Sequence, residues 1–584
     1  MERVLEGGLR RAYERRVDPR TGQRYLAVAQ RGPTLLNDPI LNKGTCFTLE
    51  ERQSFGLSGL LPPAVATEAE QAARAYENFG RAADDVQRYL FLAGLQDRNE
   101  TLFYRLLVEH MDEMAPIVYT PTVGKVCEQY SHIYRRPRGI CITSQDRGRV
   151  RAILRNWGGE CRVAVVTDNA AILGLGDQGV GGMGIAIGKL ALYTAGAGIA
   201  PEETLPIDFD VGTDNPKLLA DPLYLGMRHP RLRGAAYDQL LDELVDAMAE
   251  VHPAALIQWE DFSNRTAFDV LERYRRGRLS FNDDIQGTGA IVVAGIRSAL
   301  RQAGRDLADE RFVFFGAGAS GAGSVLAVRS ALRDAGVPER ELASRVLALD
   351  SKGLILEDRD GLPPEKREIA ASLDRVAGWT ASADGRFRLA DVVLQFRPGV
   401  LVGASGQPGA FSEEIVRGMA AGCGRPIILA LSNPTNLVEA TPEQLVRWTD
   451  GAAIVGTGSP FPPVEHRGRR FVIGQGNNVL MFPGLGLGAT TVGARWLPDR
   501  VFTVAAQALF ELTSPDPRPG TPIYPPLSRL REISRCVARA VARELVACGE
   551  APPLTDEQIE RRLASAIWTP EYLPYRPVSR EDLE

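Results

Sequence analysis

The feature that most constrains this chain is a repeated ending. The run Ala254 to Trp259 is a short apolar strand that stops in two acids, Glu260 and Asp261. The run Leu279 to Asn282 is a second strand, and it stops in Asp283 and Asp284. Between them Ala267, Val270, Leu271 and Tyr274 recur at helical spacing, with Ser263 or Asn264 placed to cap the helix. Strand, crossover helix and strand predict a parallel unit, so both acidic pairs belong at carboxyl strand ends, where open α/β sheets collect ligands.

Four carboxylates at one sheet edge repel one another unless a positive charge sits among them. A cluster of oxygen donors without His or Cys suits a hard divalent cation, Mg²⁺ or Mn²⁺. Adjacent residues on a regular strand face opposite ways, so Glu260 and Asp261 can share an ion only past the strand's regular end. A solvated strand-to-helix turn explains any single acidic pair. Two pairs at matching ends of one unit weigh against that explanation.

With 584 residues the chain exceeds one core and should divide into two or three domains. A net charge of −5 gives no reason to expect nucleic acid or an anionic membrane as partner. The seven cysteines are scattered, with no CxxC, which argues against a disulfide framework or a thiolate metal site and fits a reducing compartment. The five histidines are scattered too. The start, MERVLEGGLRRAYERR, lacks the apolar core of a signal peptide, and Gly184 to Ala200 is too short and polar to span a bilayer. A cytoplasmic protein is expected.

The order of elements predicts an α/β fold in four parts. Residues 1–135 read as a helical N-terminal or assembly region, with helices over Glu68–Phe79, Asp84–Leu95 and Thr101–Leu107 and few sheet signals. Pro116 to Gly124 reads as a proline-bracketed loop around Tyr119. Residues 136–282 plus 470–545 form a substrate and metal α/β domain, with strands Ile140–Thr143, Arg162–Thr167 and Leu205–Asp210. Residues 283–469 form a Rossmann-like domain, with strands Arg311–Phe315, Arg345–Leu349, Val400–Gly403, Ile427–Leu431 and Ala452–Val455. Residues 546–584, with Trp568, Tyr572 and Tyr575 among prolines, read as an arm packing on another surface, such as a second subunit.

The pattern GxGxxG occurs at Gly174–Gly179 and at Gly316–Gly321. The second follows the apolar strand RFVFF and opens a small-residue helix, the context in which helix-end N–H groups hold a pyrophosphate. Gly316, Ala317, Gly318 and Gly321 are therefore assigned to a dinucleotide. Asp350 ends the next strand, placed to accept from a ribose hydroxyl. Asp350 alone favours NAD, whereas Ser351 and Lys352 could hold the extra phosphate of NADP. The first match puts Asp177 where phosphate would lie and is disfavoured. Lys189 sits in an apolar segment, where desolvation favours the neutral amine that a general base needs, although a snorkelling lysine is the plainer reading. Asn433 in LSNPTN and Asn477-Asn478 in GQGNN are amides on loops after strands, able to orient a carboxylate or carboxamide.

Together, LNKGTCFTLEERQSFGLSGLLPP, VYTPTVG, GLGDQGVGGMGIAIGKL, WEDF, FNDDIQGTG, FGAG, LSNPT and GQGNN, in this order, resemble the malic enzyme family over nearly the whole chain. The resemblance implies oxidative decarboxylation of L-malate to pyruvate and CO2, with NAD or NADP, Mn²⁺ or Mg²⁺, and a homo-oligomeric dimer or tetramer. It implies metal ligands at Glu260, Asp261 and Asp284 with Asp283 beside them, a lysine base at Lys189 and a tyrosine acid at Tyr119. It also implies substrate- or nicotinamide-side amides at Asn433, Asn477 and Asn478, and Asp350 at the ribose.

One position departs from the family. Many members carry an arginine just before the ILG run that clasps a substrate carboxylate; here it is Ala171. Malolactic enzymes, which make lactate from malate with bound NAD, also lack it, so a malolactic lyase is one alternative. A non-catalytic dinucleotide-binding protein is the other. The family's activator-site arginines fall on Arg74 and Arg98, but a matching acid is Ala66.

Overall fold

A computed structural model describes residues 12–583. Residues 1–11, where the signal-peptide question arises, lie outside the described residues. The chain forms two compact units: 1–165 with 179–255 and 566–584, and 166–178 with 256–565.

In the first unit the strand Tyr13–Val17 runs antiparallel to Arg24–Val28, and Tyr575–Pro577 adds to Arg24–Val28 in parallel. Two strands in a region expected to be helical are a correction. YERRV carries three charges, RYLAV buries its last three residues in a row and so shows no alternation, and their third strand lies at the far end of the chain. The C-terminal segment is therefore no arm reaching elsewhere: Tyr575 is buried with Phe47, Phe55 and Leu41 of the same chain. Its N–H donates to Glu51 at 2.9 Å, Glu51 pairs with buried Lys43 at 2.5 Å, and Lys43 Nζ stands 3.8 Å above the Tyr575 ring.

The helices Glu68–Gly80, Asp85–Gln96 and Glu100–Glu109 start where the sequence places a capping side chain: Thr67, Asp84 and Asn99 each accept a hydrogen bond from the third helical N–H. The segment read as a loop over Pro116–Gly124 is instead two helices, Met111–Val118 and Thr122–Ile133, with Tyr119 at the break. Pro116 lies inside the first helix, and a proline in a helical run is what misdirects the reading. Ile140–Thr143 pairs in parallel with Thr204–Asp210. The stretch Gly179–Ala197 is long and apolar enough to cross a membrane, yet 94% of its window is buried inside the protein.

The second unit holds the parallel unit expected from the sequence. Leu256–Glu260 pairs in parallel with Ser280–Asn282, and the connecting helix Asn264–Tyr274 buries Ala267, Val270, Leu271 and Tyr274. Its larger sheet has seven strands in the order Gly353–Leu354, Val346–Asp350, Phe312–Phe315, Val400–Gly403, Ile427–Ala430, Ile454–Thr457 and Gly474–Gln475. All are parallel except the first, which folds back on Val346–Asp350. The chain moves one way from Phe312–Phe315 and then the other, so the order reverses beside Val400–Gly403. That switch point opens a crevice at the strand ends.

Candidate active site

The metal candidates converge because a strand stops. The strand ends at Glu260, and Asp261 takes φ = 55°, a left-handed backbone that Asp tolerates better than most residues. That turn removes the alternation that would have sent the two side chains to opposite faces. Asp284 arrives in the turn Asp283–Gly287 after the neighbouring strand, and its Oδ2 accepts the Asp261 N–H at 2.8 Å. Carboxylate oxygens of Glu260, Asp261 and Asp284 then lie within 4.8 Å of one another, with Glu260 and Asp261 buried. Gln258 Nε2 donates to Glu260 Oε2 at 3.0 Å and orients it. Three carboxylates that close, two of them buried and Asp284 half-buried, form an all-oxygen donor set that suits Mg²⁺ or Mn²⁺.

The fourth acid is turned elsewhere. Asp283 is fully buried and accepts from Asn478 Nδ2 at 3.0 Å, an amide that also reaches Thr288 Oγ1 at 3.0 Å. Asn477 caps its own turn by accepting the Val479 N–H. The N–H of Ala171, the position without the arginine, donates to the Asp261 carbonyl at 2.9 Å, so that backbone braces the acid turn.

Lys189 and Tyr119 meet within the first unit. Lys189 lies on the helix Met183–Leu192 and is 1% exposed, which rules out a side chain snorkelling to solvent. Its Nζ stands 5.7 Å from the Tyr119 ring centroid. Gly188 permits the approach, since a Cβ there would sit 2.6 Å from the Val118 carbonyl oxygen and 3.2 Å from the Tyr119 ring. A glycine in a helix interior costs about 1 kcal/mol against alanine, and here that cost goes with the close approach of the two helices.

At the switch point, Gly316 has φ = 112°, and a Cβ would lie 2.2 Å from the Ala404 carbonyl oxygen. Ala317 and Gly318 lead into the helix Ala319–Asp334, and a Cβ at Gly321 would strike the Gly316 oxygen at 2.0 Å. This loop has the shape that a pyrophosphate needs at a helix N-terminus. The Ala319 N–H donates to Asn264 Oδ1 at 2.9 Å. Asn264, read from sequence as a cap for its own helix, thus reaches the start of another one, while Ser263 takes the N-cap position with its hydroxyl on Thr266 Oγ1 at 2.8 Å rather than on a helix N–H. The first glycine motif reaches a helical turn only at its last residue, Gly179. Ile172 and Gly176 bridge a tight turn, and Gly174 lies against the Asn433 carbonyl, 2.7 Å from where a Cβ would be. Asn433 itself accepts a short hydrogen bond from Ser459 Oγ.

Asp350 ends its strand as expected, but its oxygens are occupied. Oδ1 accepts from the Lys352 N–H (2.9 Å) and Arg359 Nη1 (3.0 Å), and Oδ2 accepts from Arg359 Nη2 (2.9 Å) and Lys366 Nζ (2.8 Å). Burial raises the carboxyl pKa, but the bonds from Lys366, Arg359 and the Lys352 N–H outweigh it and hold the group below its ordinary range. Four donors fill the capacity of one carboxylate, so a ribose hydroxyl must displace one of them. The two cations leave a net charge of +1 at this strand end. Neither was found from sequence, because Arg359 and Lys366 stand 9 and 16 residues beyond the acid with no periodic signal.

Two family descriptions match the chain: the malic enzyme N-terminal domain over residues 96–275 and the malic enzyme NAD binding domain over residues 285–546. An NAD-dependent malic enzyme of Aliivibrio fischeri is 44% identical over 556 residues, covering 95% of this chain and 99% of that protein. One from Sodalis glossinidius is 45% identical over 558 residues, with the same two coverages. Among solved structures, the malic enzyme of Entamoeba histolytica superposes with a TM-score of 0.54 at 22% identity, over 88% of this chain and 91% of that one. That of Pyrococcus horikoshii superposes with a TM-score of 0.53 at 25% identity, over 78% and 89%.

Proposed function

From the premise that this chain belongs to the malic enzyme family, as both domain matches and the near full-length relatives show, we propose how its residues divide the reaction. The reaction is the oxidative decarboxylation of malate to pyruvate and CO2, with NAD accepting the hydride. The observation that carries the residue assignment is the convergence of Glu260, Asp261 and Asp284 within 4.8 Å. These three would hold Mn²⁺ or Mg²⁺, which supplies Lewis acidity towards the developing ketone and enolate oxygen.

The remaining roles fall to side chains. Lys189 Nζ takes the proton of the C2 hydroxyl as hydride leaves C2 for the nicotinamide. The C3–C4 bond then breaks, C4 leaves as carbon dioxide, and the electron pair left on C3 is delocalised as an enolate across C3, C2 and the C2 oxygen. Tyr119 gives its phenolic proton to C3, completing pyruvate, and Lys189 restores that proton. The apolar helix around Lys189 excludes water that would otherwise compete for these protons. Asn433, Asn477 and Asn478 orient the carboxamide or carboxylates, and the loop Gly316–Gly321 seats the pyrophosphate.

Finer features are proposals on the same footing. Because Asp350 is neutralised and a cation remains over, discrimination against NADP should be weak. The chain acts as a homo-oligomer in the cytoplasm, and residues 283–469 stand as the proposed dinucleotide-binding part. Ala171 motivates one competing outcome, lactate formation. Protein, malate, Mn²⁺ and NAD are mixed, NADH absorbance is followed and the organic acid is identified. NADH with pyruvate is expected; lactate without NADH would replace this reading with a malolactic one.

A further inference from the structure

Glu439 has no part in the chemistry above, yet it is 0% exposed in a loop beside the crevice. Its Oε1 accepts three hydrogen bonds: from the Ser405 N–H at 2.8 Å, the Ser405 hydroxyl at 2.8 Å and the Ser432 hydroxyl at 2.6 Å. The Ser432 oxygen in turn accepts the Gly406 N–H at 2.9 Å. All these donors are neutral, and Oε2 has no hydrogen-bond partner among the described residues. Burying a carboxylate on such terms is costly, so packing alone gives no reason for an acid here.

The loops it joins do give a reason. Ser405 follows the strand Val400–Gly403, and Ser432 follows Ile427–Ala430, its neighbour in the sheet. Ala404 and Ser405 form the wall against which Gly316 rests: a Cβ on Gly316 would meet the Ala404 oxygen at 2.2 Å and the Ser405 nitrogen at 2.8 Å. Ser432 directly precedes Asn433. One carboxylate oxygen therefore sets the height of the wall behind the glycine loop and the position of the amide loop together. Gly403 makes room for it, since a Cβ there would lie 2.5 Å from the Glu439 carboxyl carbon.

We infer that Glu439 is a positioning residue for the dinucleotide, acting through Ser405 and Ser432 to hold the two crevice loops in register. The inference rests on reading Gly316–Gly321 as the dinucleotide loop. One side-chain oxygen takes all three donors at once, so it is the shared acceptor that couples the two loops.

The test is NADH binding by fluorescence titration in the full-length protein, with melting temperature and the KM values for NAD and malate measured alongside. Glu439→Ala should raise the NADH Kd about tenfold or more, and Ser405→Ala and Ser432→Ala about threefold or more each. Glu439→Gln, which keeps the accepting oxygen, should stay within about threefold of the parent. Adding Ser432→Ala to Glu439→Ala should cost little more, because the shared contact is already gone. The KM for malate at saturating NAD should change little in the serine variants. If Glu439→Ala folds and binds NADH as tightly as the parent, the inference is overturned. Should that variant not fold, unchanged Kd values in both serine variants overturn it equally. Loss of NADH binding in Gly316→Val with no effect of the Glu439 and serine variants would sink this inference and leave the dinucleotide loop intact. Full NADH binding by Gly316→Val would sink both.

Discussion

Replacing Gly188 by alanine isolates the contact that brings Lys189 to Tyr119. The added Cβ would stand 2.6 Å from the Val118 carbonyl oxygen, where real Cβ atoms are essentially never nearer than 3.0 Å and ordinary contact begins at 3.4 Å. The obstacle is backbone, so it cannot be relieved by turning a side chain. The two helices must separate by about 0.8 Å. Overpacking of this kind costs about 1–3 kcal/mol, and the better helix propensity of alanine returns about 1 kcal/mol. Net destabilisation should then be modest, about 0–2 kcal/mol. Turnover should suffer more, because a displacement near 1 Å in a reacting group can cost about a hundredfold. We expect kcat for NADH formation to fall between about tenfold and a hundredfold, with the melting temperature shifted by only a few degrees. Gly94→Ala is the control: it lies in the helix Asp85–Gln96 with nothing within 4 Å of a Cβ, so it should leave kcat alone. A Gly188→Ala enzyme with the parent's kcat would refute the claim that this approach positions the base.

Asp284→Asn should abolish Mn²⁺-dependent turnover and yet raise the melting temperature of the metal-free protein, by calorimetry after chelation. Two like charges at 4.8 Å repel by on the order of 3 kcal/mol at an effective dielectric of about 20, before relaxation and screening, so the gain should be about 1–2 kcal/mol. A lower metal-free melting temperature would contradict the repulsion argument. Lys366→Ala removes the excess cation beside Asp350 and should lower kcat/KM for NADP relative to NAD by about tenfold; an unchanged ratio would separate Lys366 from cofactor choice. Burial lowers the pKa of His252 below its ordinary value, so the unfolded chain binds its proton first. Stability should therefore fall as pH drops through the ordinary imidazole range. His252→Phe should flatten that slope in denaturant titrations across this range, and an unaltered slope would place the titration elsewhere.

The strand, helix and strand that carry the acids were readable because their signals are local: runs of apolar residues, a 3.6-residue repeat and acids at fixed offsets. The caps Thr67, Asp84 and Asn99, not singled out from the sequence, carry a signal just as local, since each bonds an N–H three residues away. Pro116 shows the limit of such signals, because its cost in a helix was offset by burial of Met114, Ile117 and Val118 that the sequence does not display.

What the sequence by itself determined is which chemical groups are available and on which strand ends they sit: three acids after two parallel strands, a lysine in an apolar helix, glycines at a strand-to-helix turn. What only the tertiary structure decided is where those groups point and what already holds them. The left-handed turn at Asp261, the diversion of Asp283 to Asn478, the closure of Tyr575 onto the N-terminal sheet and the two cations on Asp350 all depend on residues distant in sequence. Local periodicity records which face a residue occupies. A hydrogen bond or ion pair between remote segments exists only once the sheet and its helices have brought them to within about 3 Å.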